Sequence, residues 1–156
     1  MKILKVVAGA IALLLVLAAI LYPFRRDPIA MLAGKALTGT EAAYPTSWDF
    51  SDAHDLIAFE VRPDDPHSVT TICFVVEGSL HVPAMNGSEK EWPSIVLADD
   101  RVRLKLGDAI YPARAVRVEP ADQAPYVEAM SRKYTRPADA EPPSDVWIFR
   151  IEPRQG

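Results

Sequence analysis

Residues 101–118, RVRLKLGDAIYPARAVRV, constrain the chain more tightly than any other stretch. Arg101, Arg103 and Lys105 alternate with Val102, Leu104 and Leu106. A period of two puts the cations on one face and the apolar side chains on the other, which makes a strand with one wet and one dry side. Gly107-Asp108 supplies a hairpin turn, because glycine takes positive φ without steric cost. Ala109 to Val118 then returns as the partner strand.

Four more strands are predicted around this hairpin. LIAFEVR, residues 56–62, ends at Pro63. VTTICFVV, residues 69–76, is rich in β-branched and aromatic residues and reads as one strand covered on both faces. Glu77-Gly78 joins it to SLHVPA as a second hairpin. DVWIFRIEP closes the chain. Between the hairpins, Trp92, Ile95 and Val96 recur at helical spacing, with Ser88 as N-cap and Glu91 as its capping-box partner. Asp99 and Asp100 oppose the helix dipole and stop that helix early. ADQAPYVEAMSRKY, residues 121–134, is a second helix, and RPADAEPPS an extended linker. The fold class is mainly β with minor α. We expect a six-stranded antiparallel split β-barrel with a short crossover helix, since closure removes exposed strand edges.

Upstream, Val6 to Phe24 carries no charge. Nineteen helical residues cover about 28 Å, close to the thickness of a bilayer's hydrocarbon. Lys2 and Lys5 flank one end, Arg25 and Arg26 the other, with Tyr22 and Phe24 placed as interfacial aromatics. A cleaved signal peptide is the competing reading, but the run exceeds the usual apolar region of roughly 7–15 residues and lacks a small-x-small cleavage site. The expectation is a retained single-span anchor over 1–26, inserted in the lipid bilayer through residues 6–24. The short basic N-terminal tail stays in the cytoplasm, which puts the soluble domain on the extracytoplasmic side. A connector over 27–55 follows, with PIAMLAGKAL as a short helix ended by Gly39 and Trp48 and Phe50 pinning it to a domain spanning 56–156.

All 21 acidic residues lie at Asp27 or beyond, and four of the 17 basic ones precede it. The remainder therefore has 13 basic residues against 21 acidic, a net charge of −8. Phosphate neutralisation needs a basic surface, so nucleic acid is excluded as a partner. The same charge opposes the domain lying flat on anionic lipid. Cys73 is the single cysteine, which rules out an intrachain disulfide and a cysteine-based zinc site. His54, His67 and His81 fall on different predicted elements without ligand spacing, so no metal site is expected.

The order of elements, and the run PAMNGSEKEWPSIVLADDRVRLKLGDAIYPARAVRV above all, resembles the FMN-binding split β-barrel superfamily, in its deazaflavin-dependent nitroreductase-like and pyridoxamine-phosphate-oxidase-like branches. The resemblance covers about residues 56–151. It implies FMN or deazaflavin as cofactor, oxidoreductase chemistry on a small molecule, and a homodimer with ligand between subunits. It also implies that the cofactor's phosphate tail lies at the loop before the Trp-started helix: Ala84, Met85, Asn86, Gly87 and Ser88, followed by Lys90. RPDDPHSVTT departs from the deazaflavin pattern, bringing two acids where a basic segment belongs.

Each candidate has a plainer reading beside it. Lys90 and the Asn86-Gly87 loop clamp a phosphate or are ordinary turn chemistry. Trp92 stacks on a flat ring or anchors a helix start by packing. Arg62 reaches an anion or pairs with Asp64 or Asp65. The Arg101, Arg103, Lys105 stripe attracts an acidic ligand or is a solvated face. The alternative to a reductase is a non-catalytic ligand-binding or accessory module at the membrane.

Overall fold

The computed structural model describes residues 2–21, 26–135 and 145–154; the predicted 136–144 linker and the interfacial Tyr22 and Phe24 fall outside them. Helix α1 spans Lys2–Leu21. Its Leu4–Leu21 stretch is apolar and long enough to cross a membrane, and none of it is buried.

The strands are β1 (Thr40–Glu41), β2 (Ile57–Val61), β3 (His67–Thr71), β4 (Phe74–Val76), β5 (Ser79–Met85), β6 (Arg101–Leu106), β7 (Ala109–Arg117) and β8 (Val146–Glu152). Helices α2 (Glu91–Ala98) and α3 (Ala124–Lys133) flank β6 and β7 in sequence. Strand order is β3-β2-β6-β7-β8-β5-β4, antiparallel throughout, with β1 added parallel to β7.

That order curls the sheet. β3 and β4 are its two edges, yet only Ile72 and Cys73 separate them in the chain. Seven strands laid flat at ~4.8 Å spacing put the edges about 29 Å apart. Three Cα–Cα steps span at most about 11 Å. The sheet must therefore close on itself, leaving a seam between β3 and β4 where no ladder runs. Thr71 Oγ1, at the end of β3, donates to the Pro83 carbonyl of β5 at 3.5 Å.

The seam corrects the expected count of six strands. VTTICFVV is two strands on opposite edges, and the two-residue β1 is a further addition. Tyr134 causes the break. Its hydroxyl accepts from the Cys73 N–H at 3.2 Å and lies 2.7 Å from the Cys73 carbonyl oxygen, so it takes both backbone groups that a continuous strand would use. The Glu77-Gly78 turn forms as expected, with φ of 50° and 75° at its two residues, the twist that suits a two-residue hairpin.

Inside the cylinder lie Phe59, Val61, Leu80, Val82, Val102, Leu104, Phe149 and Ile151, all at most 1% exposed. α2 contributes Trp92 and Val96 to this core, and Ile95 packs against it, which matches the helical spacing. Trp48 joins it too, against Tyr44, Phe50 and Tyr111. A second cluster of Phe74, Val118, Ala129, Met130 and Ile148 lies under α3.

The predicted helix over 28–37 is absent. Gly34 exchanges two backbone hydrogen bonds with Ser68, at 2.7 and 3.1 Å, and the Leu37 N–H donates to the Glu60 carboxylate at 2.6 Å. These tertiary bonds hold the segment across the outer faces of β2, β3 and β6. A short isolated helix cannot compete with them.

Candidate functional site

The predicted loop divides into buried and exposed parts. Ala84 is fully buried, paired with Trp147 of β8, and points into the core; Met85 packs in the cluster under α3. Asn86 takes left-handed φ of 53° and opens a short 3-10 turn over Gly87–Glu89. A Cβ on Gly87 would lie 2.4 Å from Trp147 Cγ, so the tryptophan ring requires glycine there.

Ser88 is not the helix cap. α2 starts at Glu91 with Lys90 as N-cap and no side-chain capping bond. The Ser88 N–H and Oγ–H both donate to Asp145 Oδ2, at 2.8 and 2.5 Å, and Trp147 Nε1 donates to Asp145 Oδ1 at 2.8 Å. The Gly87 N–H donates to the Asp145 carbonyl at 3.1 Å. The Ser88 bonds hold the Asp145 carboxyl below its usual range. A carboxylate from the residue just before β8 thus occupies the amide cradle in which the resemblance places a ligand phosphate. Nothing in the pattern NGSEK discloses this, because the acid comes from 57 residues away.

Trp92 is only 4% exposed, set between Phe59 and Phe149 at ring-centroid distances of 5.1 and 5.2 Å. No face is left for a flat ring to stack on. Arg62 pairs with Asp65 at 3.1 Å. The basic stripe of β6 is neutralised one cation at a time: Arg101 by Asp99 and Asp64, Arg103 by Glu60, Lys105 by Asp27. Burial raises the Asp27 carboxyl, but its bonds from Lys105 and Thr38 outweigh that and hold it low.

Lys90 is different. It is exposed, and among the described residues its ammonium has no ion-pair partner. It stands at the mouth of a cleft of about 240 Å³ between residues 30–33, β3 and the start of α2, walled by His67, Thr70, Thr71 and the edge of Trp92. The first backbone N–H groups of α2 have no intrahelical acceptor and carry the positive end of the helix dipole. The cleft can therefore hold an anionic group, with the Thr70 hydroxyl as a further donor. Glu91 on the same rim limits the charge it tolerates.

Two of the places where the resemblance puts a flavin-type cofactor are taken: the Gly87 and Ser88 amides are bound to Asp145, and Trp92 is enclosed. The cleft is also smaller than the roughly 300–1,000 Å³ of typical small-molecule sites. Among the described residues no group of three or more His, Cys, Asp or Glu is gathered in space.

No protein-family model matches the chain, and no curated protein matches it. Solved structures do. A conserved hypothetical protein of Mycobacterium tuberculosis is similar at 18% identity and TM-score 0.56, over 76% of this chain and 87% of its own. A protein assigned as a pyridoxamine 5'-phosphate oxidase from Listeria innocua is similar at 19% identity and TM-score 0.50, over 67% and 87%. An F420-H2-dependent reductase is similar at 16% identity and TM-score 0.50, over 64% and 95%. At these identities the likeness is one of fold alone, and it bears out the expected split-barrel fold.

Proposed function

We propose that this is a membrane-tethered ligand-binding module of split-barrel fold, which takes a small anionic molecule in the Lys90 cleft. The observation that carries the reading is the contrast between Lys90, which has no ion-pair partner among the described residues and shares the cleft with Thr70 and Thr71, and the neighbouring Gly87 and Ser88 amides, which Asp145 fills. α1 is the tether, the domain faces the extracytoplasmic side, and the module works as a homodimer. Fluorescence or calorimetric titration of the full chain in detergent with small carboxylates and phosphates tests the binding. Saturable binding weakened at least tenfold by Lys90→Ala supports it; affinity unchanged by that substitution refutes it.

A second reading has a specific observation behind it. The fold is shared with an F420-H2-dependent reductase and a pyridoxamine-phosphate-oxidase-like protein, which supports a flavin- or deazaflavin-dependent oxidoreductase acting on a small molecule. FMN and deazaflavin titrations followed by absorbance separate the two. Uptake of either with a shifted spectrum favours the oxidoreductase; uptake of neither leaves the module.

A further inference from the structure

The connector ends its first turn in an exposed apolar knob. Ile29 and Leu32 exchange backbone hydrogen bonds at 3.0 and 2.8 Å, closing a tight turn in which Ala30 takes φ of 48°. Three large side chains project from it: Ile29 is 63% exposed, Met31 97% and Leu32 49%. The turn cannot fold them back. It is fastened by the paired Gly34–Ser68 bonds and by the Lys35 N–H to the Arg26 carbonyl at 2.6 Å. A Cβ on Gly34 would lie 2.3 Å from the Arg26 carbonyl oxygen, so the crossing is as close as backbone allows.

We infer that this knob dips into the lipid bilayer that holds α1, as a second, shallow membrane contact. The inference rests on the tether reading above. Leash length is the first argument. Phe24, the last apolar residue of the run, is five residues from Ile29, so the knob stays within about 17 Å of the hydrocarbon edge. Charge is the second. Arg26 and Lys35 flank the knob, exposed and without ion-pair partners among the described residues. Asp27 between them is neutralised by Lys105. On a domain of net charge −8, a cationic collar around three apolar side chains matches an anionic headgroup layer over acyl chains. The domain stands on one foot; its remaining acidic surface is held off the lipid. Met31 and Ala30 also line the Lys90 cleft, so its mouth opens at the lipid–water boundary, and ligands reach it from the membrane surface.

The test uses the full chain in vesicles of phosphatidylcholine and phosphatidylglycerol at three to one. An environment-sensitive dye is attached at Met31→Cys, at Leu13→Cys inside the anchor, or at Glu128→Cys on the exposed side of α3; Cys73 is buried and stays unlabelled. We expect blue-shifted emission at positions 13 and 31, and quenching by shallowly brominated lipid several-fold stronger at 31 than at 128. Ile29→Asp with Leu32→Asp abolishes the quenching at 31 and leaves position 13 and the melting temperature unchanged. Water-like emission at 31 with lipid-like emission at 13 overturns the inference and spares the tether. Water-like emission at both overturns the two together. Rapid disulfide formation between two Met31→Cys chains in lipid-free detergent overturns it in favour of a second copy. The Lys90 titration is independent of all these outcomes.

Discussion

The barrel has two covered outer faces, sealed by opposite chemistry. The connector covers β2, β3 and β6 with charges: Glu60 is fully buried, bound to Arg103 and the Leu37 N–H, and Asp27 pairs with Lys105. α3 covers β4, β5 and β8 with Phe74, Met130 and Ile148, all at most 2% exposed. Ion pairs and backbone bonds fix one register and punish every other, whereas apolar packing tolerates shape-conserving change. The segment that follows α1 thus has the cover that defines position most strictly.

Four measurements test that contrast. The largest effect is expected from Glu60→Ala, which strands Arg103 and an amide; urea unfolding should show a loss of about 3–5 kcal/mol. Adding Arg103→Met should recover much of it, because the stranded charge is then gone. Failure to recover would mean the connector face is held by packing after all. On the other face, Met130→Ala should cost about 2–5 kcal/mol through its cavity, with no second substitution restoring it.

His81 gives the third. It lies under α3, stacked on Phe74 and next to Tyr126, opposite Arg150, with Nδ1 at 3.0 Å from the Ser79 carbonyl and Nε2 without a partner among the described residues. Burial chiefly, and Arg150 to a lesser degree, lower its pKa to about 4 against the bond that Nδ1–H donates to the Ser79 carbonyl. Only the unfolded chain takes up the proton between pH 6.5 and 4, so stability is full above that window and falls by about 3 kcal/mol through it. His81→Phe should flatten this part of the pH profile; an unchanged slope would assign it elsewhere. The smallest effect belongs to Asp27→Asn, about 1 kcal/mol and weaker in high salt, since the pair is partly exposed.

The hairpins, α2 and α3 were legible because each is written in a local period. Val102, Leu104 and Leu106 could face only one way. What escaped the sequence is made by partners distant along the chain. Tyr134 splits VTTICFVV from 61 residues away, and Asp145 fills the Ser88 amide from 57. The short helix expected over PIAMLAGKAL gave way to bonds with Glu60 and Ser68. The candidate site was read from Ala84 to Trp92 together with Arg62, but of that stretch only Lys90, Glu91 and the rim of Trp92 reach the cleft. Its other wall is β3, which no motif ties to the loop.

The seam between β3 and β4 has a mechanical corollary. Snipping the peptide between Ile72 and Cys73 would sever no rung of any ladder, only the hoop that keeps the staves bent. A nicked molecule should keep every strand beside its neighbours while its cylinder gapes at that one line.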